Sequence, residues 1–181
     1  MTRVIFFIII LIFIFACTQQ EDKKQVAQAP ADYPDQESWN ATIKITKEGR
    51  LSGLVQAGYI RKYSSKQKTY LSDSIQIDFY NQKGQHNSVL YAHGGEVNDK
   101  IQDMIAYGNV VVISDSGITL YTDTLKWDNK RQKIISDIPI MITTNEGDTL
   151  YGDSFISNPA LTNYEIVNPR GMSTKKVSIE E

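Results

Sequence analysis

From Trp39 to about Gly171, apolar and polar side chains alternate in short runs, interrupted at near-regular intervals by Gly, Asn, Asp and Pro. Ile43 and Ile45 alternate with Thr42, Lys44 and Thr46, the pattern of a half-buried strand. Gly49 turns the chain into a second predicted strand from Leu54 to Ile60, with Gly53 and Gly58 as bend or close-approach points. Ser64 to Lys68 reads as a turn, and Ile75-Gln76-Ile77-Asp78-Phe79-Tyr80 is the clearest alternation of all. Lys83 to Asn87 turns back into Val89-Leu90-Tyr91. Ile101 to Tyr107 is assigned as strand in keeping with its neighbours, although Ile101, Met104 and Ile105 also suit one face of a short helix. Val110 to Ile113 follows, then Asp115-Ser116-Gly117 as a turn. Ile138, Ile140 and Ile142 alternate with Pro139 and Met141, and Pro139 points to an edge or a strand start because it cannot donate to a ladder. Asn158-Pro159 breaks the chain before a final strand running from Leu161 to Asn168. About a dozen short strands in some 130 residues define one all-β domain of sandwich, jellyroll or barrel type.

Within this pattern one phrase recurs. Thr119-Leu120-Tyr121-Thr122-Asp123-Thr124-Leu125 reappears thirty residues later as Thr149-Leu150-Tyr151-Gly152-Asp153-Ser154-Phe155. An earlier copy, with Tyr and Leu exchanged, is Thr69-Tyr70-Leu71-Ser72-Asp73-Ser74-Ile75, and Leu90-Tyr91-Ala92 is a decayed fourth. A fixed period of this size marks repeated units that bury a continuous core only by stacking. The β-branched and aromatic content makes the unit a hairpin. Leu120 and Leu125 are five apart, so both can face inward only if an extra residue sits near Asp123, as in a β-bulge. Asp followed by Ser or Thr can satisfy the backbone groups that such a bulge frees. The chemical alternative, a ladder of carboxylates for Ca²⁺, has no glycine-rich loop to accompany it, so the aspartates are read as scaffold.

The N-terminus departs from the strand pattern. After Met1-Thr2-Arg3 come twelve apolar residues, Val4 to Phe15, then Ala16-Cys17. Twelve is short of the ~20 residues a membrane span needs. A basic start, a brief apolar run and a small residue before a cut describe an export signal at 1–16, and Ile14-Phe15-Ala16-Cys17 resembles the lipobox of bacterial lipoproteins, with Cys17 as the lipidated new N-terminus. An uncleaved hydrophobic anchor is the other reading. Cys17 is the sole cysteine, which leaves an exported domain no intramolecular disulfide. The following polar residues, with Pro30 and Pro34, make 17–38 a tether with a random-coil reach of roughly 25 Å. The domain then occupies 39–171, and 172–181 is a polar tail.

Charge excludes little but points away from polyanions. The whole chain carries 19 Lys and Arg against 21 Asp and Glu; cleavage before Cys17 removes Arg3 alone, leaving a mild excess of acid. Nucleic acid is therefore not an implied partner. No nucleophile elbow, phosphate loop or Cys/His metal spacing is present, and His93-Gly94-Gly95 reads as a turn and His86 as a solvated turn residue. The sequence predicts no catalytic residue, no metal ligand and no cofactor. Energy for work against a gradient would come from a partner.

Taken together, Gly108-Asn109-Val110-Val111-Val112, Gly117 to Trp127, Gly152-Asp153-Ser154-Phe155 and Leu161-Thr162-Asn163-Tyr164-Glu165-Ile166 resemble the LptC family, membrane-anchored periplasmic components of lipopolysaccharide export. The resemblance covers roughly residues 39–171. Its G-N-V and T-D elements are shared with the soluble bridge protein LptA and the OstA-like domain of the outer-membrane translocon. It implies an open β-jellyroll of two splayed antiparallel sheets, built here from repeated hairpins, that holds acyl chains between the sheets. It implies as partners lipopolysaccharide or lipooligosaccharide, an inner-membrane ATP-binding-cassette (ABC) transporter that delivers it, and an LptA-type bridge that receives it. Many family members keep a transmembrane helix where this chain has Cys17. Thr18 stands in place of the Asp that retains some lipoproteins in the inner membrane, so the outer membrane stays open as the anchoring site.

On that reading the inward residues that line the lipid slot are Ile75, Ile77, Phe79, Val110, Val112, Leu125, Ile140, Ile142, Phe155, Tyr164 and Ile166. The edge strand for the bridge is Leu161, Thr162, Asn163, Tyr164, Glu165, Ile166, Val167 and Asn168, because the tail beyond it lacks strand character. Another reading is a structural or adhesive surface lipoprotein of the same fold class with a closed core. The soluble bridge itself is a third, against which Cys17 argues.

Overall fold

The computed structural model describes residues 33–172. The expectations for the signal segment, Cys17, the tether as far as residue 32 and the tail from residue 173 lie outside the described residues. The rest is built of strands: β1 (Gln36–Lys47), β2 (Arg50–Tyr63), β3 (Lys68–Tyr80), β4 (His86–Ala92), β5 (Gly94–Asn98), β6 (Asp103–Ser114), β7 (Ile118–Asp128), β8 (Lys133–Ser136), β9 (Ile140–Thr144), β10 (Thr149–Gly152), β11 (Ser154–Ser157), β12 (Tyr164–Val167) and β13 (Arg170–Met172). A 3₁₀ turn at Ser64–Lys66 is the sole helical element among the described residues. Strand structure thus begins at Gln36, inside the expected tether, and Met172 belongs to β13 rather than to a tail.

All pairings are antiparallel, and they reduce to a simple plan. β4–β5, β8–β9, β11–β10 and β12–β13 are each one pass of the chain interrupted by one to three residues. Counted this way, nine passes form a meander in which each pass pairs with the pass before and the pass after. The thirty-residue period is two passes, one hairpin.

Every pass bends near its middle, and the bends line up. Tyr59 pairs with Ser72 and Ala57 with Ile75, so Gly58 alone faces the two residues Asp73 and Ser74, both at positive φ. Tyr107 pairs with Thr124 and Val110 with Thr122, so Gly108 and Asn109 together face Asp123. The line continues through Asn40 in β1, His93 between β4 and β5, Asp137 between β8 and β9, Asp153 and Asn168. Beyond its bend each pass finds the other half of its neighbour: β3 pairs with β5 through Lys68–Leu71 and with β4 through Ile75–Tyr80. The result is one sheet folded along the line of bends into two facing layers. Layer A holds β5, β8, β11, β12 and the adjoining halves of the long strands. Layer B holds β4, β9, β10, β13 and the other halves. Two splayed sheets are present as the sequence predicts, joined at a crease.

The bulge expected in the central phrase is real but sits on the opposite strand. Its extra residue belongs to the Gly108-Asn109 pair of β6, and Asp123 answers it by accepting the Asn109 N–H at 3.2 Å. Leu120 and Leu125 both point inward, as the phrase requires. In the earlier copy the extra residue is in the phrase itself, at Asp73-Ser74. In the later copy Asp153 marks the break between β10 and β11 and binds Arg170 at 2.7 Å and Asn168 at 2.9 Å. The repeated aspartate thus marks the crease.

Ile101, expected in a strand, lies in the turn before β6 and is exposed, because Asn98 caps that turn by accepting the Lys100 and Ile101 N–H groups. The strand after Asn158-Pro159 is likewise not the last. Pro169 does not end the sheet: Arg170–Met172 forms β13 and pairs with β10 in layer B.

Candidate functional site

The interior between the layers is the candidate site. In layer B, one registered row crosses the sheet: Ile43, Val55, Ile77, Leu90, Val112, Leu120, Ile142 and Leu150 are successive partners on neighbouring passes. Each is aliphatic, because each is an inward position of its strand, the second from the crease. The facing row in layer A begins Ile60, Leu71, Gly95, Ala106, Leu125. Two of its five members are among the smallest residues. Over Gly95 the side chain of Ile75 in layer B closes in, its Cδ1 lying 3.0 Å from where a Cβ would stand; elsewhere in this half the layers do not meet.

The space left is a pocket of about 370 Å³, walled by Ile43, Ile45, Val55, Leu71, Ile75, Ile77, Phe79, Leu90, Gly95, Val97, Met104, Ala106, Leu125, Trp127 and Ile134. Lys62, Thr69, Glu96, Asp99, Gln102, Lys126 and Asn129 supply its polar lining, with Thr69 donating to the Asp99 carboxylate at 2.9 Å and Lys62 at 3.8 Å from it. Apolar walls with a few polar groups on one side describe a site for an amphipathic ligand with a long apolar part. At the edge away from the crease, Phe79 of layer B and Trp127 of layer A approach with ring centroids 6.2 Å apart.

The expected slot residues separate into two sets. Ile75, Ile77, Phe79 and Leu125 line the pocket. Val110, Val112, Ile140, Ile142 and Phe155 are buried in the same core but outside the pocket, and Tyr164 and Ile166 pack half-buried against it. Phe155 and Tyr164, both of layer A, stack with centroids 6.0 Å apart in the last passes. The slot is therefore open in its first half and packed in its second. Ile43, Ile45, Val55, Leu71, Leu90, Val97, Met104, Ala106, Trp127 and Ile134 were not in the expected set. Their alternation carried the signal for most of them.

The packed half is closed at its outer edge by residues 158–163. Leu161, Thr162 and Asn163, expected in the edge strand, form a turn that crosses from layer A to layer B. Asn158 organises it, its side-chain oxygen accepting the Thr162 and Asn163 N–H groups at 3.0 and 3.2 Å. Ser88 donates to the Pro159 carbonyl at 2.7 Å and Ser114 to the Ala160 carbonyl at 2.5 Å, both serines being buried in layer B. Leu161 is fully buried, 0% exposed. The edge strand proper is β12, Tyr164–Val167; among the described residues no strand pairs with its outer side. Asn168 lies on the crease. β1 is the corresponding open edge at the other end.

Both histidines are tied into the sheet. His86 is not a free turn residue; its ring lies between Asp115 at 2.9 Å and Asp78 at 3.4 Å, joining neighbouring passes. His93 is the crease residue of its pass and donates its N–H to Gly108. Among the described residues no group of three or more His, Cys, Asp or Glu could hold a metal ion, and no helix is long and apolar enough to cross a membrane.

A folded antiparallel sheet, creased along one side and parted along the other around an apolar slot, defines the class: an open β-jellyroll. The comparisons agree. The family model for lipopolysaccharide-assembly proteins, LptC-related, matches residues 3–150, and the chain belongs to the LptC family. Among solved structures, it is similar to LptH, the LptA-homologous periplasmic component of the lipopolysaccharide transport device from Pseudomonas aeruginosa. The TM-score is 0.53 at 10% identity, over 68% of this chain and 95% of that one, a likeness of fold. No curated protein matches the chain.

Proposed function

We propose that this chain is a membrane-anchored lipopolysaccharide or lipooligosaccharide transfer protein that shelters acyl chains between its layers. The observation that carries the reading is the apolar pocket between the layers, in a member of a lipopolysaccharide-assembly family. The buried aliphatic rows supply the favourable transfer of acyl chain out of water, at about 0.8 kcal/mol per CH₂. The polar lining leaves a place for a headgroup at the mouth. A closed-core adhesive lipoprotein has no use for an apolar cleft between its layers.

In this proposal Cys17 is acylated and holds the domain on the periplasmic side of the inner membrane. An ABC transporter there delivers the lipid, and a soluble LptA-type bridge takes it from the free edge of β12. Lipid-lining roles fall first to Ile75, Ile77, Phe79 and Leu125, and to the deeper Val110, Val112, Ile140, Ile142, Phe155, Tyr164 and Ile166 once the second half admits lipid.

The test is photo-crosslinking in cells from a photoreactive phenylalanine analogue at Phe79, with Gln76 and Asp78 on the outward face as controls. Capture of lipopolysaccharide at Phe79 and not at the controls is expected. Capture only at the controls, or none, overturns the proposal.

A further inference from the structure

The outer face of layer A carries, across the first three passes, a cluster of aromatic and basic side chains that the slot does not use. On β2, Tyr59, Arg61 and Tyr63 alternate with the buried Ile60 and the pocket residue Lys62, so they point away from the interior. Register extends the face to Glu37 and Trp39 of β1 and to Lys68 and Tyr70 of β3. Trp39 stacks on Tyr59 with ring centroids 5.3 Å apart and is still 64% exposed. Tyr63 meets Tyr70 edge-on at 5.7 Å. Arg61 lies over the Tyr59 ring at 5.4 Å and Lys66 over the Tyr63 ring at 4.9 Å.

The acids around this face are engaged. The Tyr59 hydroxyl donates to Glu37, Lys68 pairs with Glu96 at 2.6 Å, and Asp35 accepts the Ser64 N–H. Glu37 is the register partner of Arg61, yet its carboxylate serves Tyr59 instead. The Arg61 Nε is buried and meets no acceptor among the described residues. An unmet donor is costly. A turn of this half-buried side chain toward a surface phosphate, whose geometry the guanidinium fork matches, removes that cost. Tryptophan and tyrosine beside basic side chains are also the composition of a water–bilayer boundary.

What covers this face follows from where the chain enters the fold. The Asp35 N–H donates to the Lys62 carbonyl at 2.8 Å, so the chain arrives at layer A, against the outer end of β2. Cys17 stands eighteen residues before Asp35, a length that reaches about 23 Å as a random coil. The ninth pass lies eight strand spacings from the first, about 38 Å away. We infer that the outer face of layer A at β1–β3 rests on the bilayer that holds the N-terminus, with Trp39, Tyr59, Tyr63 and Tyr70 at headgroup level and Arg61 on a lipid phosphate. This rests on the N-terminal anchor of the reading above and not on its slot. Seated so, the domain presents the open half of the slot to the membrane side and the free edge of β12 away from the anchor.

Trp39 is its own probe, because the chain's other tryptophan, Trp127, lines the pocket and is replaced in Trp127→Phe. The full-length chain, purified from membranes, is added to vesicles of phosphatidylethanolamine and phosphatidylglycerol. One series carries lipid brominated near the headgroup end of its acyl chains, and the other has iodide in the water. The reference is Tyr121→Trp in a Trp39→Phe, Trp127→Phe chain, which places the probe on the outer face of layer B. Brominated lipid should quench Trp39 several-fold more than the reference, iodide should do the reverse, and Arg61→Gln should lower the lipid quenching of Trp39. Equal quenching of the two positions by brominated lipid overturns the inference, as does a Trp39 that iodide reaches and brominated lipid does not. Lipid quenching unchanged in Arg61→Gln overturns the phosphate contact. A chain that does not float with the vesicles overturns the anchor and the inference together, whereas the slot is judged separately by crosslinking at Phe79. Circular dichroism checks the fold of each form. Should Trp127→Phe fail to fold, the difference in quenching between the parent and Trp39→Phe isolates Trp39.

Discussion

Ile77 and Ile142 occupy the same row of layer B and are chemically identical, yet truncating them should have different consequences. Ile142 is 0% exposed, enclosed in the packed half, and outside the pocket. Ile142→Ala removes its contacts and leaves a void that the surrounding strands cannot collapse, so the cost falls in the upper part of the usual range of about 2–5 kcal/mol, near 4. Ile77 is 6% exposed and one side of it already faces open space. Ile77→Ala enlarges a cleft that exists, so the cavity contribution is small and the cost is near 2 kcal/mol. For a fold of this size 1 kcal/mol shifts the midpoint by about 2–4 °C, which separates the two variants by about 4–8 °C. Urea unfolding monitored by far-ultraviolet circular dichroism measures both, with unchanged slope as the check that the unfolded state is comparable. The lipid assay should show the opposite order, with crosslinking at Phe79 reduced more by Ile77→Ala than by Ile142→Ala. Equal stability losses, or a larger loss at Ile77, would refute the division of the slot into an open and a packed half.

Four further predictions bear on the crease, the ends and the anchor. Gly58→Ala places a Cβ 2.4 Å from the Asp73 carbonyl oxygen and should cost about 1–3 kcal/mol, whereas Gly53→Ala, with its nearest contact at 3.5 Å, should unfold near the parent; thermal unfolding compares them. Hydrogen bonds from Asn168 and then Arg170 hold the Asp153 carboxyl below the usual carboxylate range, so its contribution is present above that range and lost as pH falls through the lowered value. Protection factors of the Gly171 and Met172 amides, taken relative to intrinsic exchange at each pH, should accordingly fall on acidification, and Asp153→Asn should flatten that dependence. Ile166→Pro should abolish recovery of a soluble bridge protein in a pull-down while the chain stays in the membrane fraction. Mass spectrometry of that fraction should find an acylated Cys17 as the first residue, and an intact Met1 or a free thiol there would remove the anchor.

The hairpin period was legible because the phrase around Asp123 repeats its residue types. The folding of the sheet was not, because alternation is read within one strand, and the crease exists only in the pairing of Gly58 with Asp73-Ser74 and of Asp123 with Gly108-Asn109. The phrase did announce a bulge, through the spacing of Leu120 and Leu125, but could not say which strand carries it. Inward faces were legible throughout. The pocket was not, since it depends on how closely the two layers approach, which alternation within a strand does not encode. Leu161 misled because Leu-Thr-Asn-Tyr has strand character. Asn158, with a side chain suited to hold the N–H groups a few residues on, was the signal that a turn continued past Pro159.

The meander has a consequence for how the chain assembles. Since each pass contacts mainly its sequence neighbours, ordering can propagate from one hairpin to the next, as in repeat proteins, without closing long loops. A chain emerging N-terminus first can add β-passes in order, each templated by the edge left by the previous one. The turn at residues 158–163 is the exception to this locality: Ser88 and Pro159 are 71 residues apart in sequence, and their bond forms only after eight passes are in place. Its seating therefore waits for the eighth pass, and it must close a long loop that the hairpin-by-hairpin additions never close.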